Sequence, residues 1–283
     1  MREKKSTEGA YVARDAETLY TLAKDTLDRG QYRQAAALFD EVERQHPYSI
    51  WARRAQLMAA FSHYAAQQYP DAISSARRFL SLHPGNKDAP YAYYIIGMSY
   101  YEQIATVQRD QSSTRAAKEA FTELIRRYPA SPYAADARLK LDLVNDQLAG
   151  KEMAIGRFYS DQRLWIAATI RYRRVVDEYQ STIQVQEALY RLVEAYLALG
   201  MPRQAVRAAS VLGANYPGSS WYELAWNLMQ KHAATWQDPV PPSSLPPPGA
   251  APGAPEVMAP GVGSGQVPTP AGEGQTVPLP PTG

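Results

Sequence analysis

The chain has 283 residues, of which 45% are hydrophobic and 20% charged, and its formal net charge is +2. That apolar share supports an ordinary core, so wholesale disorder is excluded, and no apolar run is long enough to cross a bilayer as a helix. The lack of cysteine excludes disulfides, thiolate zinc sites and thiol catalysis, and the charge balance lacks the dense basic patch that nucleic-acid affinity needs.

Met1 to Ala10 are polar and lack the apolar stretch of a secretory signal, and residues 1–14 are expected to be an N-terminal linker. Beyond them an anchor recurs at His46-Pro47, His83-Pro84, Tyr128-Pro129, Tyr179-Gln180 and Tyr216-Pro217, at spacings of 37, 45, 51 and 37 residues. Twelve positions before the second anchor residue stand Ala35, Ala72, Ala117, Ala168 and Ala205. Eight before are Phe39, Ala76, Phe121, Tyr172 and Ala209, and five before are Val42, Phe79, Leu124, Val175 and Leu212. Steps of four and three keep these positions on one helical face. The alanine lets two helices approach closely without the roughly 1 kcal/mol loss of helix propensity that glycine would bring. Gly30 and Gly200, seventeen before the anchor, supply a left-handed turn ahead of the second helix of a pair. The prolines of the anchors then end that helix.

This period, with insertions, is that of the tetratricopeptide repeat. The expected fold is all-α: a tetratricopeptide-repeat superhelix of five helical hairpins over residues 15–236. The segment Trp221 to Lys231 resembles one more first helix and serves as the C-terminal capping helix that such arrays require. Two insertions interrupt the period. Glu102 to Thr114 is polar and predicts an exposed loop within the third hairpin. Between Pro132 and Gln162 the pattern predicts one long first helix, kinked or broken near Gly150 or Gly156. Residues 237–283 are different material: 14 of the 22 prolines fall from Pro239 onward with no aromatic residue, which predicts a disordered tail acting as a tether.

Catalysis needs a constellation of groups, and the sequence offers none. His46 and His83 share one repeat position at helix ends, and His63 stands alone in a helix. No zinc-protease, nucleophile-elbow, phosphate-loop or calcium-loop spacing occurs. A non-enzymatic binding platform without metal or cofactor is the expectation. Aromatic candidates for a peptide groove lined by first helices are Tyr48, Trp51, Tyr64, Tyr69, Tyr91 and Tyr94. Of these, Tyr64 and Tyr69 fit core positions best, while Tyr48 and Trp51 follow a helix-ending proline and should be exposed. Arg171 stands where other repeats carry Leu38, Ser75, Ala120 and Ala208. It heads the run Arg171-Tyr172-Arg173-Arg174, which is either a solvated face or a docking patch for an acidic surface.

Three blocks then resemble one family: Tyr128-Pro129-Ala130-Ser131-Pro132-Tyr133-Ala134-Ala135-Asp136-Ala137-Arg138, Ala188-Leu189-Tyr190-Arg191-Leu192-Val193-Glu194-Ala195-Tyr196, and Val211-Leu212-Gly213-Ala214-Asn215-Tyr216-Pro217. In order, and with both insertions, they resemble the BamD family of the outer-membrane β-barrel assembly (BAM) machinery of Gram-negative bacteria. The likeness covers about residues 11 to 230, Arg109-Asp110-Gln111 included. The resemblance implies a protein on the periplasmic face of the outer membrane, held there by a lipidated N-terminal cysteine. That cysteine is absent here, and a start just past it accounts for the missing signal and the zero cysteine count together. It implies that the N-terminal repeats recognise segments of unfolded outer-membrane proteins, a role falling on Tyr48, Trp51, Tyr91 and Tyr94. It also implies that the C-terminal repeats dock BamA, through Arg171, which matches a family arginine, and its neighbours Arg173 and Arg174. Other BAM subunits would be further partners, and nucleic acid would not. Two other readings stay open from the residues alone: another cell-envelope adaptor, such as a pilotin or cell-division coordinator, and a cytosolic co-chaperone. The latter would need a regular Lys/Asn clamp, which the first helices lack.

Overall fold

The computed structural model describes residues 15–233, and among these every regular element is an α-helix. The linker and tail predicted for residues 1–14 and 237–283 lie outside the described residues. Five hairpins follow in order: α1 (Ala16–Asp28) with α2 (Tyr32–Gln45), α3 (Ile50–Ala65) with α4 (Tyr69–Leu82), and α5 (Ala89–Tyr101) with α6 (Ser112–Arg127). Then come α7 (Pro132–Asp161) with α8 (Trp165–Glu178), α9 (Gln184–Ala198) with α10 (Pro202–Asn215), and the capping helix α11 (Ser220–Ala233). The described residues fall into two compact units, one of residues 15–103 and 116–138 and the other of residues 104–115 and 139–233.

The repeat positions are the core. All fifteen residues at the three recurrent positions, from Ala35 and Phe39 to Ala209 and Leu212, are at most 1% exposed. Each anchor residue ends its helix in the same way: the N–H groups of His46, His83, Tyr128, Tyr179 and Tyr216 donate to the carbonyls of Val42, Phe79, Leu124, Val175 and Leu212. Their own carbonyls then accept from Ser49, Asn86, Ser131, Thr182 and Ser219, a turn that launches the next hairpin or, after Tyr216, the capping helix.

The turn inside each hairpin shows a regularity that the glycines only half revealed. Gly30 (φ 74°) and Gly200 (φ 69°) are left-handed, but so are Gln67 (φ 61°) and Arg163 (φ 58°) at the same repeat position. In all four, that residue's N–H donates three residues back and the next N–H donates five back, for example Gly30 to Leu27 and Gln31 to Thr26. This double bond pattern satisfies the last carbonyls of the first helix and requires one left-handed residue. Gln67 and Arg163 adopt it against the usual preference of side-chain-bearing residues.

The predicted break in α7 does not occur: the helix runs unbroken for 30 residues. Its glycines are packing notches. A Cβ at Gly156 would stand 2.5 Å from Tyr172 Cε1, and one at Gly150 would meet Val107 Cγ1 at 3.3 Å. Gly97 faces Phe121, and Gly213 faces Tyr222, in the same way. The inserted loop is also less free than its polarity suggested. Gln147 Nε2 donates to Ala105 O at 2.8 Å and Lys151 Nζ to Gln108 O at 3.1 Å, so α7 holds it. Buried Gln111 bridges back to Thr106 O and Arg109 O and accepts from the Thr114 hydroxyl.

Candidate functional site

In the first unit the exposed aromatic edge forms where α2 passes to α3. Ser49 caps α3 by accepting from Ala52 N at 3.0 Å, and this turn throws the flanking Tyr48 wholly into solvent beside the exposed Ile50. Trp51 is half-buried. One side of its indole rests on the Tyr20 ring of α1 (centroids 5.0 Å), and the Arg54 guanidinium stands 5.5 Å from its centre. Tyr20 in turn packs edge-on against Phe39, so the tryptophan is braced from the core. Burial pushes the Tyr20 phenol up, with Arg54 opposing.

Tyr91 and Tyr94 do not join this edge. Tyr91 is 0% exposed and Tyr94 3%, which corrects the expectation that they line a groove. Their rings pack on Tyr133, at 5.1 and 5.4 Å, and the Tyr94 hydroxyl donates to Asp136 Oδ2 at 2.5 Å. Burial, helped for Tyr94 by that carboxylate, holds both phenols well above their ordinary range. The reason is that α5 is buried on nearly every side, from Ala89 through Ser99, so its tyrosines are core. The spacing of Tyr91, Tyr94, Ile95 and Met98 is that of a buried helical stripe, and it was the available warning. Tyr64 and Tyr69, assigned to the core, are instead half-buried, with rings 6.0 Å apart and the Tyr64 hydroxyl near Glu102 Oε1 at 3.3 Å.

In the second unit the arginine run divides around buried Tyr172. Arg171 Nη1 reaches Glu152 Oε2 at 3.1 Å, and Arg174 Nη1 reaches the other oxygen at 3.2 Å. Arg174 also approaches Glu178 at 3.5 Å, while Arg173 is exposed and has no ion-pair partner among the described residues. Glu152 belongs to α7, where its carboxylate is mostly covered, so it fixes both guanidinium groups in place. Three arginines against Glu152 and Glu178 leave the cluster with one positive charge in excess, carried by Arg173. Sequence reasoning found the arginines and missed Glu152, whose position opposite Arg171 depends on how α7 and α8 pair. It also missed a second network in which Arg157 and Arg191 share Glu187, and Arg191 and the Tyr190 hydroxyl meet Glu194. Tyr190 continues this network onto the Trp221 ring of the capping helix, at 5.5 Å.

Among the described residues no group of His, Cys, Asp and Glu has the arrangement of a metal site, and no helix is long and apolar enough to cross a membrane. The two surfaces differ in chemistry: one is an aromatic edge with a braced tryptophan, the other a set of preorganised guanidinium groups.

Known proteins share much of this sequence. The profile of the family YfiO, described as outer membrane lipoprotein, matches residues 12–223. The chain is 50% identical over 219 residues to the outer membrane protein assembly factor BamD of Caulobacter vibrioides, covering 77% of this chain and 72% of that protein. It is 45% identical over 215 residues to BamD of Rickettsia prowazekii, covering 76% and 86%. A solved tetratricopeptide protein of Thermus thermophilus overlays with a TM-score of 0.36 at 16% identity, covering 77% of this chain and all of that one. The family profile over residues 12–223, together with half the residues shared with an assembly factor over 219 positions, places this chain in the BamD family of outer-membrane lipoproteins.

Proposed function

We propose that the chain is a non-catalytic scaffold subunit of outer-membrane protein assembly, held at the periplasmic face of the outer membrane by an N-terminal lipid. Its first two repeats bind segments of unfolded outer-membrane proteins along the Tyr48–Trp51 edge. Its fourth repeat docks BamA through Arg171, Arg173 and Arg174. The observation that carries this reading is the arginine cluster held by Glu152: a cationic surface fixed before any partner arrives loses little side-chain freedom on binding. Tyr48 and Trp51 support the other half, because an exposed tyrosine next to a braced tryptophan offers contact area without a buried cost.

The test is binding of BamA's periplasmic domains to the wild-type chain, Arg171→Gln, Arg173→Gln and Arg171→Glu. The reversal sets a second carboxylate against Glu152, so it should weaken binding most, with helicity unchanged by circular dichroism. Wild-type affinity in Arg171→Glu would refute the docking role. For the aromatic edge, Trp51→Ala should reduce crosslinking of unfolded outer-membrane protein peptides without changing BamA affinity.

A further inference from the structure

Away from the arginine cluster, α7 carries a face that nothing in the described residues covers. Leu139 and Leu143 are 67% and 56% exposed, one helical turn apart. Asp142 and Asp146 lie on the same stripe, since all four fall within about 100° around an α-helix. The opposite side of α7 is the buried one, with Ala137, Val144 and Leu148. A third aliphatic side chain comes from another element. Ile183, at the start of α9, is 66% exposed, and its N–H donates to Asp146 Oδ1 at 3.3 Å, which sets it beside the stripe. Neither aspartate has a lysine, arginine or histidine partner among the described residues.

This combination is unfavourable as it stands. Large aliphatic side chains in water are costly, and a grouped set marks an interaction surface far more often than scattered ones do. Two carboxylates one turn apart repel each other, and the flanking leucines strip them of some hydration. Burial pushes both carboxyls up; for Asp146 the Ile183 N–H opposes this in part and the neighbouring Asp142 adds to it. A cation seated between them would relieve both effects, and aliphatic groups on the same partner would cover the leucines and Ile183. An anionic lipid surface has the wrong sign for this face.

We propose that Leu139, Leu143 and Ile183 around Asp142 and Asp146 form a docking surface for a partner polypeptide segment that presents aliphatic side chains beside a lysine or arginine. It is distinct from the arginine cluster, which selects the opposite charge, and it does not depend on that cluster binding BamA. One chain thereby offers an anion-selecting and a cation-selecting surface, so two partners can be held at once without competing for either.

The experiment uses the full chain and two short fluorescein-labelled peptides, read by fluorescence anisotropy. The peptides share leucines at helical spacing and differ only in carrying lysines or glutamates between them. The lysine peptide should bind about tenfold or more tightly than the glutamate peptide, with the preference shrinking at high salt. Asp142→Asn with Asp146→Asn should abolish the preference, and Leu139→Ser with Leu143→Ser should weaken binding of the lysine peptide about tenfold or more. Leu139, Asp142 and Leu143 are exposed, and Asp146→Asn keeps an oxygen to accept from Ile183 N, so circular dichroism should be unchanged in every variant. Equal binding of the two peptides, no measurable binding of either, or wild-type binding by the serine variant would each overturn the proposal. Self-association in sedimentation that the serine variant abolishes would also overturn it, by assigning the face to a second copy. Loss of BamA binding in Arg171→Glu with lysine-peptide binding intact separates the fate of this surface from that of the other.

Discussion

Gly156→Ala is the sharpest test of how the hairpin of α7 and α8 is held together. The added methyl would stand 2.5 Å from Tyr172 Cε1 and 2.8 Å from Cδ1. Ordinary carbon contacts begin near 3.5 Å, so the ring must retreat by about 1 Å. It has little room: Tyr172 is fully buried, and its hydroxyl is fixed to Ser160 Oγ at 2.9 Å. Alanine gains about 1 kcal/mol of helix propensity over glycine. Against this stand about 1–3 kcal/mol for overpacking and about 1 kcal/mol if the Ser160 bond is lost. The net expectation is a loss of about 1–3 kcal/mol, measured by urea unfolding followed by far-ultraviolet circular dichroism. In a Tyr172→Leu background the ring is gone, and Gly156→Ala should become neutral or mildly stabilising. The two substitutions should therefore couple by about 1 kcal/mol or more. Equal or higher stability of Gly156→Ala, or the same change in both backgrounds, would refute the notch. Because Arg171 adjoins Tyr172, the same variant should also weaken any binding that uses the arginine cluster.

Arg163→Gly and Gln67→Gly should stabilise the chain by about 0.5–1 kcal/mol each, since a left-handed side-chain-bearing residue costs 1–2 kcal/mol and glycine's extra chain entropy offsets only part of that. Gly30→Ala should do the reverse, although its Cβ would meet no atom within 4 Å, because only φ is at issue. Tyr94→Phe should lose about 1–2 kcal/mol in urea unfolding by removing the donor to Asp136, and an unchanged midpoint would show that bond contributes nothing. His63 bridges Asp40 Oδ2 (3.2 Å) and Gln68 Oε1 (3.3 Å). Burial alone would lower its pKa, but the Asp40 hydrogen bond and charge, with Gln68 and Asp71, outweigh that and raise it above 6.5. A folded value above the unfolded one gives stability that is complete below pH 6.5 and lost as the pH rises through the folded value. The melting temperature of wild type should thus fall relative to His63→Gln between pH 6 and pH 8, and parallel curves would show that the imidazolium is not held.

Periodicity alone settled the hairpins, their pairing positions and the capping helix. The alanine twelve positions before each anchor, the anchor prolines and the two turn glycines are local demands of helix packing, helix ending and left-handed backbone, and each must be met by the residue standing there. Three things were decided only by tertiary packing. Glycine at 156 has the same identity whether it breaks a helix or admits a ring, and only the approach of Tyr172 from α8 selects the second. Tyrosine suits a core and a groove equally well, so burial of Tyr91 and Tyr94 depended on α5 being covered on nearly all sides. The partners of charged and apolar surface groups are likewise distant in the chain. Glu152 meets Arg171 across a hairpin, and Ile183 meets Asp146 across 37 residues, so both surfaces exist only once the helices have packed.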